Sequence, residues 1–234
     1  MRNLLILSLS LTIFYGCSNM NIAPPIAVKK EKKLVIHDDA RVDNYYWLND
    51  RENPEVISYL EEENKYTDAL LKSTKSLQER LFNEMKSRIK EDDNSVPYFY
   101  NDYWYTTKYE KGKDYPVYTR KYKDLNAEDE IILDVNSLAK GYKYFRVSGI
   151  SISPDNKKVA YGVDTLSRRI YTIKVKNLVT NEMYSDNIDG VESYATWAAD
   201  SETIFYTGKD IQTLRSDKIY RHKLDNDQKD DVLV

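Results

Sequence analysis

The spacing of apolar and polar positions changes three times along the chain. Residues 4–15 form an almost unbroken apolar run, and a polar stretch follows it. From Asn53 to Ile89 apolar residues recur every three or four positions. Beyond Val96 the period shortens to two, in short segments that end at Asn, Asp, Gly or Pro. This order predicts an apolar leader, a helical segment and then a strand-rich region.

Two amphipathic helices are predicted in the helical segment. Asn53 is a good N-cap and Pro54 tolerates the first turn, so the first helix should begin there. The apolar stripe of the second helix has a spacing of four residues and comprises Leu77, Leu81, Met85 and Ile89. An amphipathic helix is stabilised mainly by packing of its apolar face, so both helices require a surface that covers them.

Three β-hairpins are predicted in the strand-rich region. They pair residues 102–109 with 117–122, 159–164 with 170–175, and 203–207 with 218–224. Val159 and Ile204 are 45 residues apart, as are Asp155 and Asp200. This distance is typical of four-stranded β-propeller blades, which repeat every ~40–50 residues. We therefore expect a mainly β chain with about three blades, and residues 231–234 predict the start of another strand.

Several segments resemble a known protein family. They are residues 43–50, 53–64, 85–93, 153–155 and 163–171. Their order and composition resemble the N-terminal part of the prolyl oligopeptidase family of serine peptidases, and oligopeptidase B in particular. The resemblance covers nearly all of residues 38–234. It implies a partial β-propeller preceded by the two helices.

The family's catalytic residues have no counterpart in these segments. Members carry Ser, Asp and His in a C-terminal α/β-hydrolase domain, with the serine in a Gly-x-Ser-x-Gly turn. The nearest string, Gly149 to Ser153, has Ser153 in place of the second glycine. We therefore expect a fragment that ends inside a blade, without the α/β-hydrolase domain or the catalytic triad. No catalytic residue and no cofactor is assigned.

The resemblance implies a function for the complete protein. It would be a serine endopeptidase that hydrolyses short peptides after Arg or Lys, and the propeller would gate the active site and dock on the catalytic domain. Its partners would be that domain and the peptide substrate. The alternative is a non-catalytic, lipid-anchored β-propeller binding module whose exposed blade edges recruit another chain. A coding sequence beyond Val234 with a Gly-x-Ser-x-Gly turn and a later His would favour the peptidase.

The N-terminus resembles a bacterial lipoprotein signal. Arg2 precedes the apolar run, which is too short to span a bilayer, and Cys17, the sole cysteine, follows it. We expect residues 1–17 to be a signal peptide, Cys17 to be lipidated and the protein to be periplasmic or anchored in the outer membrane. A plain secretory signal is the alternative. Residues 18–37 would then be a tether, 38–92 the helical segment and 93–234 the partial propeller.

Charge and composition exclude some classes of function. The 35 basic and 38 acidic residues nearly balance, which argues against nucleic acid as a partner. The 21 tyrosines, 7 glycines and 41% apolar residues suit a β-rich globular core.

The sequence also offers candidates for other chemistry. His37 and His222 are its two histidines, and neither is accompanied by a serine in a nucleophile turn, which argues against a catalytic role. We expect His37 at the surface and His222 on a strand. Residues 225–231 are rich in oxygen ligands but lack the central Gly of a calcium loop, which favours a turn between strands. Residues 186–190 are likewise predicted to be a loop. No metal site is assigned.

Two further groups have competing interpretations. Tyr45, Tyr46 and Trp47 could form a sugar or peptide platform, but packing anchors are favoured. Arg168 and Arg169 could bind an acidic peptide terminus, but pairing between blades or domains is favoured.

Overall fold

The computed structural model describes residues 23–234. The chain divides into two compact units, and the boundary along the sequence lies between Ile89 and Lys90. The described part of the first unit contains a two-stranded sheet and two long helices. The second unit contains a five-stranded and a seven-stranded sheet.

The first unit begins with a β-hairpin. Strand β1 (Lys32–Ile36) pairs antiparallel with β2 (Asp39–Asp43). The two residues between them, His37 and Asp38, have φ values of 51° and 61°. Two-residue hairpin turns favour such positive φ values at their central residues. The region therefore differs from the predicted solvated tether, because its last residues are paired in a sheet.

Two helices follow the hairpin. Helix α1 (Pro54–Leu71) begins where predicted, with the Asn53 side chain accepting a hydrogen bond from the Glu55 N–H. A 3-10 turn at Lys72–Thr74 connects α1 to α2 (Lys75–Ser87).

The apolar stripe of α2 is exposed. Val56 is the buried residue of α1, whereas no residue of α2 is buried. Between 43% and 67% of each side chain of the predicted stripe is accessible: Leu77, Leu81, Met85 and Ile89. The predicted helix is confirmed, and the other described elements of the first unit do not bury its apolar face.

All sheet pairs of the second unit are antiparallel. The five-stranded sheet consists of β3 (Asp93–Asn94), β4 (Tyr98–Tyr100), β5 (Tyr103–Tyr109), β6 (Val117–Tyr122) and β7 (Glu130–Asp134). The short helix α3 (Val135–Leu138) follows. The seven-stranded sheet has sequence-neighbour order and consists of β8 (Arg146–Ile152), β9 (Lys158–Asp164), β10 (Tyr171–Asn177), β11 (Met183–Trp197), β12 (Thr203–Lys209), β13 (Ser216–Lys223) and β14 (Val232–Leu233). The predicted hairpins are confirmed as β5–β6, β9–β10 and β12–β13.

Strand β11 is shared by two groups of four strands. From Met183 to Val191 it pairs with β10, and from Val191 to Trp197 it pairs with β12. Gly190, with φ of 72°, lies at the changeover. The prediction that residues 186–190 form a loop is wrong, because they lie within β11. Groups of four antiparallel strands are the arrangement expected of propeller blades, and the count of about three blades stays a prediction.

Strand β9 contributes to two hydrophobic cores. Val159 and Tyr161 belong to the core that includes Leu133 of β7, while Ala160 belongs to the core that includes Ile173 and Ile204. Successive side chains of a strand point to opposite faces, so this strand is buried on both sides. The two cores join the sheets and strand groups of the second unit.

Equivalent turns of neighbouring strand groups are hydrogen-bonded in series. The Asn101 amide donates to Asn156 Oδ1 at 3.0 Å, and the Asn156 amide donates to the Asn101 carbonyl at 3.1 Å. The next link is the Asp155 N–H, which donates to Ser201 Oγ at 3.0 Å. Asn101, Asn156 and Ser201 all have positive φ. The 45-residue spacing of Asp155 and Asp200 therefore corresponds to successive turns of the same kind.

Candidate functional site

The string that most resembles a nucleophile turn serves packing. Gly149 lies in β8 with φ of 66°, and a Cβ atom there would collide with the backbone of Ser193. Ser153 is buried; its hydroxyl donates to Asp155 and accepts from the Lys158 N–H. Ser151, which occupies the nucleophile position of the string, lies within β8 and is paired with Ala160 of β9, so it does not stand on an exposed strand-to-helix turn.

His222 lies at the centre of a buried polar group. It is 1% exposed on β13. Its Nε2 is 2.7 Å from Asp186 Oδ1, and its Nδ1 is 2.6 Å from Asp231 Oδ1. The Tyr206 hydroxyl donates to Asp231 Oδ2 at 2.7 Å. We call these four residues the His222 cluster.

The carboxylates of the His222 cluster have further contacts. The Asp225 N–H donates to Asp186 Oδ1 at 2.9 Å, whereas the buried Asp186 Oδ2 has no hydrogen-bond partner among the described residues. Burial, and then the hydrogen bond with Asp231, raise the pKa of Tyr206 far above its ordinary value. The cluster thus has a low exposure to water and a high density of ionisable groups.

Local sequence positions the residues of the cluster. Along β13, His222 is buried while its neighbours Arg221 and Lys223 are exposed, as strand alternation requires. Beyond the strand, the Gln228 side chain bonds the backbone N–H and C=O of Asp189, at 2.9 and 3.0 Å. These two hydrogen bonds hold the segment after β13 against β11, and Asp231 in that segment then reaches the ring of His222.

The cluster does not have the geometry of a catalytic base or a metal centre. Both ring nitrogens of His222 are occupied by carboxylates, so neither can accept a proton from a nucleophile. Residues 225–231 connect β13 to β14, which confirms the predicted turn between strands. Among residues 23–234, no set of three or more His, Cys, Asp or Glu side chains could hold a metal ion.

Arg120 is a second buried charged residue that joins strand groups. Its guanidinium group donates to both carboxylate oxygens of Glu130, at 2.8 and 2.6 Å, and to the Asn156 carbonyl at 2.8 Å. It also lies 4.1 Å from the centre of the Tyr103 ring. Burial alone would lower the pKa of Arg120, but Glu130 outweighs it and the pKa is raised. Nothing in the sequence of β6 marks Arg120 as a buried residue, so it could not be singled out before the fold was known.

The aromatic group at residues 45–47 is engaged in packing. The Trp47 indole N–H donates to the Val28 carbonyl at 2.9 Å, and its ring meets Tyr59 edge-to-face at 6.3 Å. The Lys30 ammonium lies 4.8 Å from the Trp47 ring centre and pairs with Glu55. These contacts favour the packing interpretation over a ligand platform.

The paired arginines lie in the exposed loop between β9 and β10. The buried Asp164 carboxylate accepts hydrogen bonds from the N–H groups of Leu166 and Arg169, both at 2.8 Å. Lys209 of β12 donates to the Arg169 carbonyl at 2.7 Å. One contact between strand groups is therefore made by the backbone of Arg169. Burial alone would raise the pKa of Glu192 on β11, but hydrogen bonds, from Lys209 first, and then nearby charges that include Arg169 lower it. A direct guanidinium pairing stays a prediction.

His37 and Cys17 are the two remaining positions that the sequence singled out. His37 is exposed at the tip of the first hairpin. Cys17 and the signal peptide lie outside the described residues. Within residues 23–234, no helix has both the length and the apolar character needed to cross a membrane.

Comparison with known proteins places the chain in a family. The family model described as "Prolyl oligopeptidase, N-terminal beta-propeller domain" matches residues 24–234. Dipeptidyl aminopeptidase BI of Pseudoxanthomonas mexicana is 40% identical over 229 residues, and Protease 2 of Moraxella lacunata is 34% identical over 217 residues. Each alignment covers 90% of this chain, but 32% and 31% of the respective relatives.

Solved structures agree with the family model. Oligopeptidase B from Leishmania major has a TM-score of 0.83 at 32% identity, covering 91% of this chain and 32% of the other. Oligopeptidase B from Trypanosoma brucei, in a closed form with covalently bound antipain, has a TM-score of 0.80 at 29% identity, covering 90% and 32%. The chain thus spans about a third of the length of these proteins. It belongs to the prolyl oligopeptidase family and corresponds to the N-terminal β-propeller part of its members.

Proposed function

We propose that this chain is the propeller part of an oligopeptidase B-like serine endopeptidase that hydrolyses short peptides after basic residues. The family membership and the similarity to two oligopeptidase B structures support the proposal. The chain itself would dock on the α/β-hydrolase domain of the same full-length protein and limit access to its active site.

The observation that carries the docking role is the uncovered stripe of α2. Leu77, Leu81 and Met85 of α2, together with Ile89 just beyond its end, form one apolar face, whose side chains are accessible. Burying a leucine-sized side chain contributes about 1.5–3 kcal/mol. A contiguous stripe of four such residues is suited to a permanent intramolecular interface, and the relatives' greater length supplies a further domain that could cover it.

Enzyme assays on the full-length protein would test the proposed specificity. We expect hydrolysis of an N-terminally blocked fluorogenic peptide with Arg at the cleavage site, and little hydrolysis of its Pro or Ala counterparts. Activity should also fall as the peptide is lengthened, because the propeller restricts entry. One relative is named a dipeptidyl aminopeptidase, and an activity of that kind would be the opposite result. Activity only on peptides with a free amino terminus two residues before the cleaved bond would overturn the endopeptidase proposal.

We also propose that Cys17 anchors the exported protein to a membrane through a lipid. The support is the sequence pattern of residues 2–17. Cys17→Ala should move the protein from the membrane fraction to the soluble fraction, while Ser18→Ala should leave it membrane-bound. Mass spectrometry of the mature N-terminus gives an independent check. An intact Met1, or equal membrane association of Cys17→Ala, would contradict the anchor.

A further inference from the structure

The His222 cluster contains more hydrogen bonds than a neutral imidazole can make with two ionised carboxylates. The ring approaches Asp186 at 2.7 Å and Asp231 at 2.6 Å, so each contact requires a hydrogen between nitrogen and oxygen. A neutral imidazole supplies one N–H, and an ionised carboxylate supplies none. The three groups therefore hold one additional proton.

The neighbouring donors indicate where that proton lies. Asp231 accepts a hydrogen bond from the Tyr206 hydroxyl, and Asp186 accepts one from the Asp225 N–H. Hydrogen bonds donated to a carboxyl group favour its ionised form. With both carboxylates ionised, the additional hydrogen belongs to the ring, and His222 donates through both nitrogens.

The cluster connects elements that are distant in sequence. Asp186 lies on β11, His222 on β13, and Asp231 immediately before β14, which pairs with β13. The Gln228 bonds to Asp189 and the pairing of β14 with β13 hold the same segment, so the cluster adds the contact that links it to both β11 and β13.

We infer that the His222 cluster is a proton-dependent latch, which holds residues 225–234 against β11 while the ring of His222 carries both hydrogens. Removing one hydrogen places a nitrogen lone pair against a carboxylate at less than 3 Å, which is repulsive. The latch then loosens as the pH rises. This inference does not depend on the proposed peptidase activity.

The charged and titratable groups around the ring support this direction. The titratable groups around the ring are Asp186 of β11, Tyr206 of β12 and Asp231 of the segment after β13, and Asp225 contacts Asp186 through its backbone N–H. The adjacent cations of β13, Arg221 and Lys223, are exposed on the other face of the strand. With a charged ring the cluster has two negative charges and one positive charge. Among the described residues, no basic side chain is hydrogen-bonded to the two carboxylates, so none could supply the positive charge in place of the ring.

Nitrogen-15 NMR of the histidine rings is a direct test. The chain contains two histidines, so selective labelling gives two ring systems, and His37→Gln identifies His222 by elimination. We expect both ring nitrogens of His222 to carry hydrogen at pH 7. A single N–H on the ring at that pH would overturn the inference.

Hydrogen exchange measures the consequence for the segment. At pH 7, His222→Gln should increase exchange in peptides covering residues 225–234, whereas His37→Gln, which alters an exposed turn, should not. After correction for intrinsic rates, the difference between wild type and His222→Gln should shrink as the pH is raised. A difference of constant size across the pH range would contradict a proton-dependent latch. If His222→Gln does not fold, the ring NMR of the wild type still decides the question.

Discussion

At the residue scale, burial changes the titration of tyrosine side chains. Tyr161 is 1% exposed, and its hydroxyl contacts the Met183 sulfur at 3.6 Å. Burial raises the pKa of Tyr161 from 10.0 to about 12. The folded state therefore favours the neutral phenol more strongly than the unfolded state does.

This shift predicts alkaline sensitivity. Because the folded pKa exceeds the unfolded one, the contribution of Tyr161 is fully present below pH 10 and is lost between pH 10 and about pH 12. Denaturation followed by circular dichroism over this range should show the loss, together with tyrosinate absorbance. Tyr161→Phe should decline less steeply. An equally steep decline in that variant would assign the effect to other groups.

Gly149 is a residue whose substitution should be costly. It combines a positive φ with a close approach to Ser193, whereas Gly141 has φ of 88° and open space where a Cβ would lie. Gly141→Ala should therefore cost about 1–2 kcal/mol from backbone strain alone. Gly149→Ala should cost more, because the backbone of Ser193 must also shift. Urea denaturation of both variants measures the difference, and equal costs would show that Ser193 moves freely.

At the element scale, the period of a helix specifies a face but not what covers it. Helix α2 formed where the stripe predicted, yet the four apolar side chains of the stripe, three in α2 and Ile89 beyond its end, remain accessible. The same chain buries both faces of β9. An element's partner is thus a property of the tertiary structure.

The exposed stripe gives a prediction for the full-length protein. Leu81→Asp should weaken docking of the helix and lower kcat/KM about tenfold or more, since one leucine side chain contributes about 1.5–3 kcal/mol when buried. Asn83→Asp adds the same side chain on the opposite face of α2 and should have little effect. Peptidase assays and thermal unfolding of the full-length protein would compare the two variants. Equal activity of the two variants would argue against docking through this face.

At the scale of the whole molecule, hydrogen bonds between strand groups accompany the hydrophobic cores. Arg120 links β6 to the turn at Asn156, and the chain of turn contacts continues from Asp155 to Ser201. Trp197 and Ser151 form another tie, through an indole hydrogen bond of 3.0 Å. Adjacent strand groups are thereby held in register at their turns.

Breaking one of these ties should destabilise the second unit. Arg120→Lys keeps the charge but loses the bidentate contact with Glu130 and cannot also reach the Asn156 carbonyl. We expect a loss of about 1–3 kcal/mol in the free energy of unfolding. Arg88→Lys, in an exposed pair with Glu84, should change stability by less than about 0.5 kcal/mol. Urea denaturation would measure the free energy of unfolding of both variants. Similar losses would show that the buried bidentate contact of Arg120 with Glu130 contributes little.

The sequence by itself determined the elements whose signals are local. The cap at Asn53, the alternation of the strands and the 45-residue spacing of Asp155 and Asp200 each involve neighbouring residues or a repeated turn, and they predicted α1, the three hairpins and the repeated architecture. The family resemblance was equally legible, because it rests on the order of short motifs.

Only the tertiary structure decided which distant groups meet. His222 looked like an ordinary strand residue, and its role followed from Asp186, 36 positions earlier, and Asp231, 9 positions later. Residues 186–190 looked like a loop, and their pairing with β10 made them strand. Hydrogen-bond partners across a sheet depend on strand order and register, which local periodicity does not encode. That is the physical reason why the buried cluster could not be derived from sequence alone.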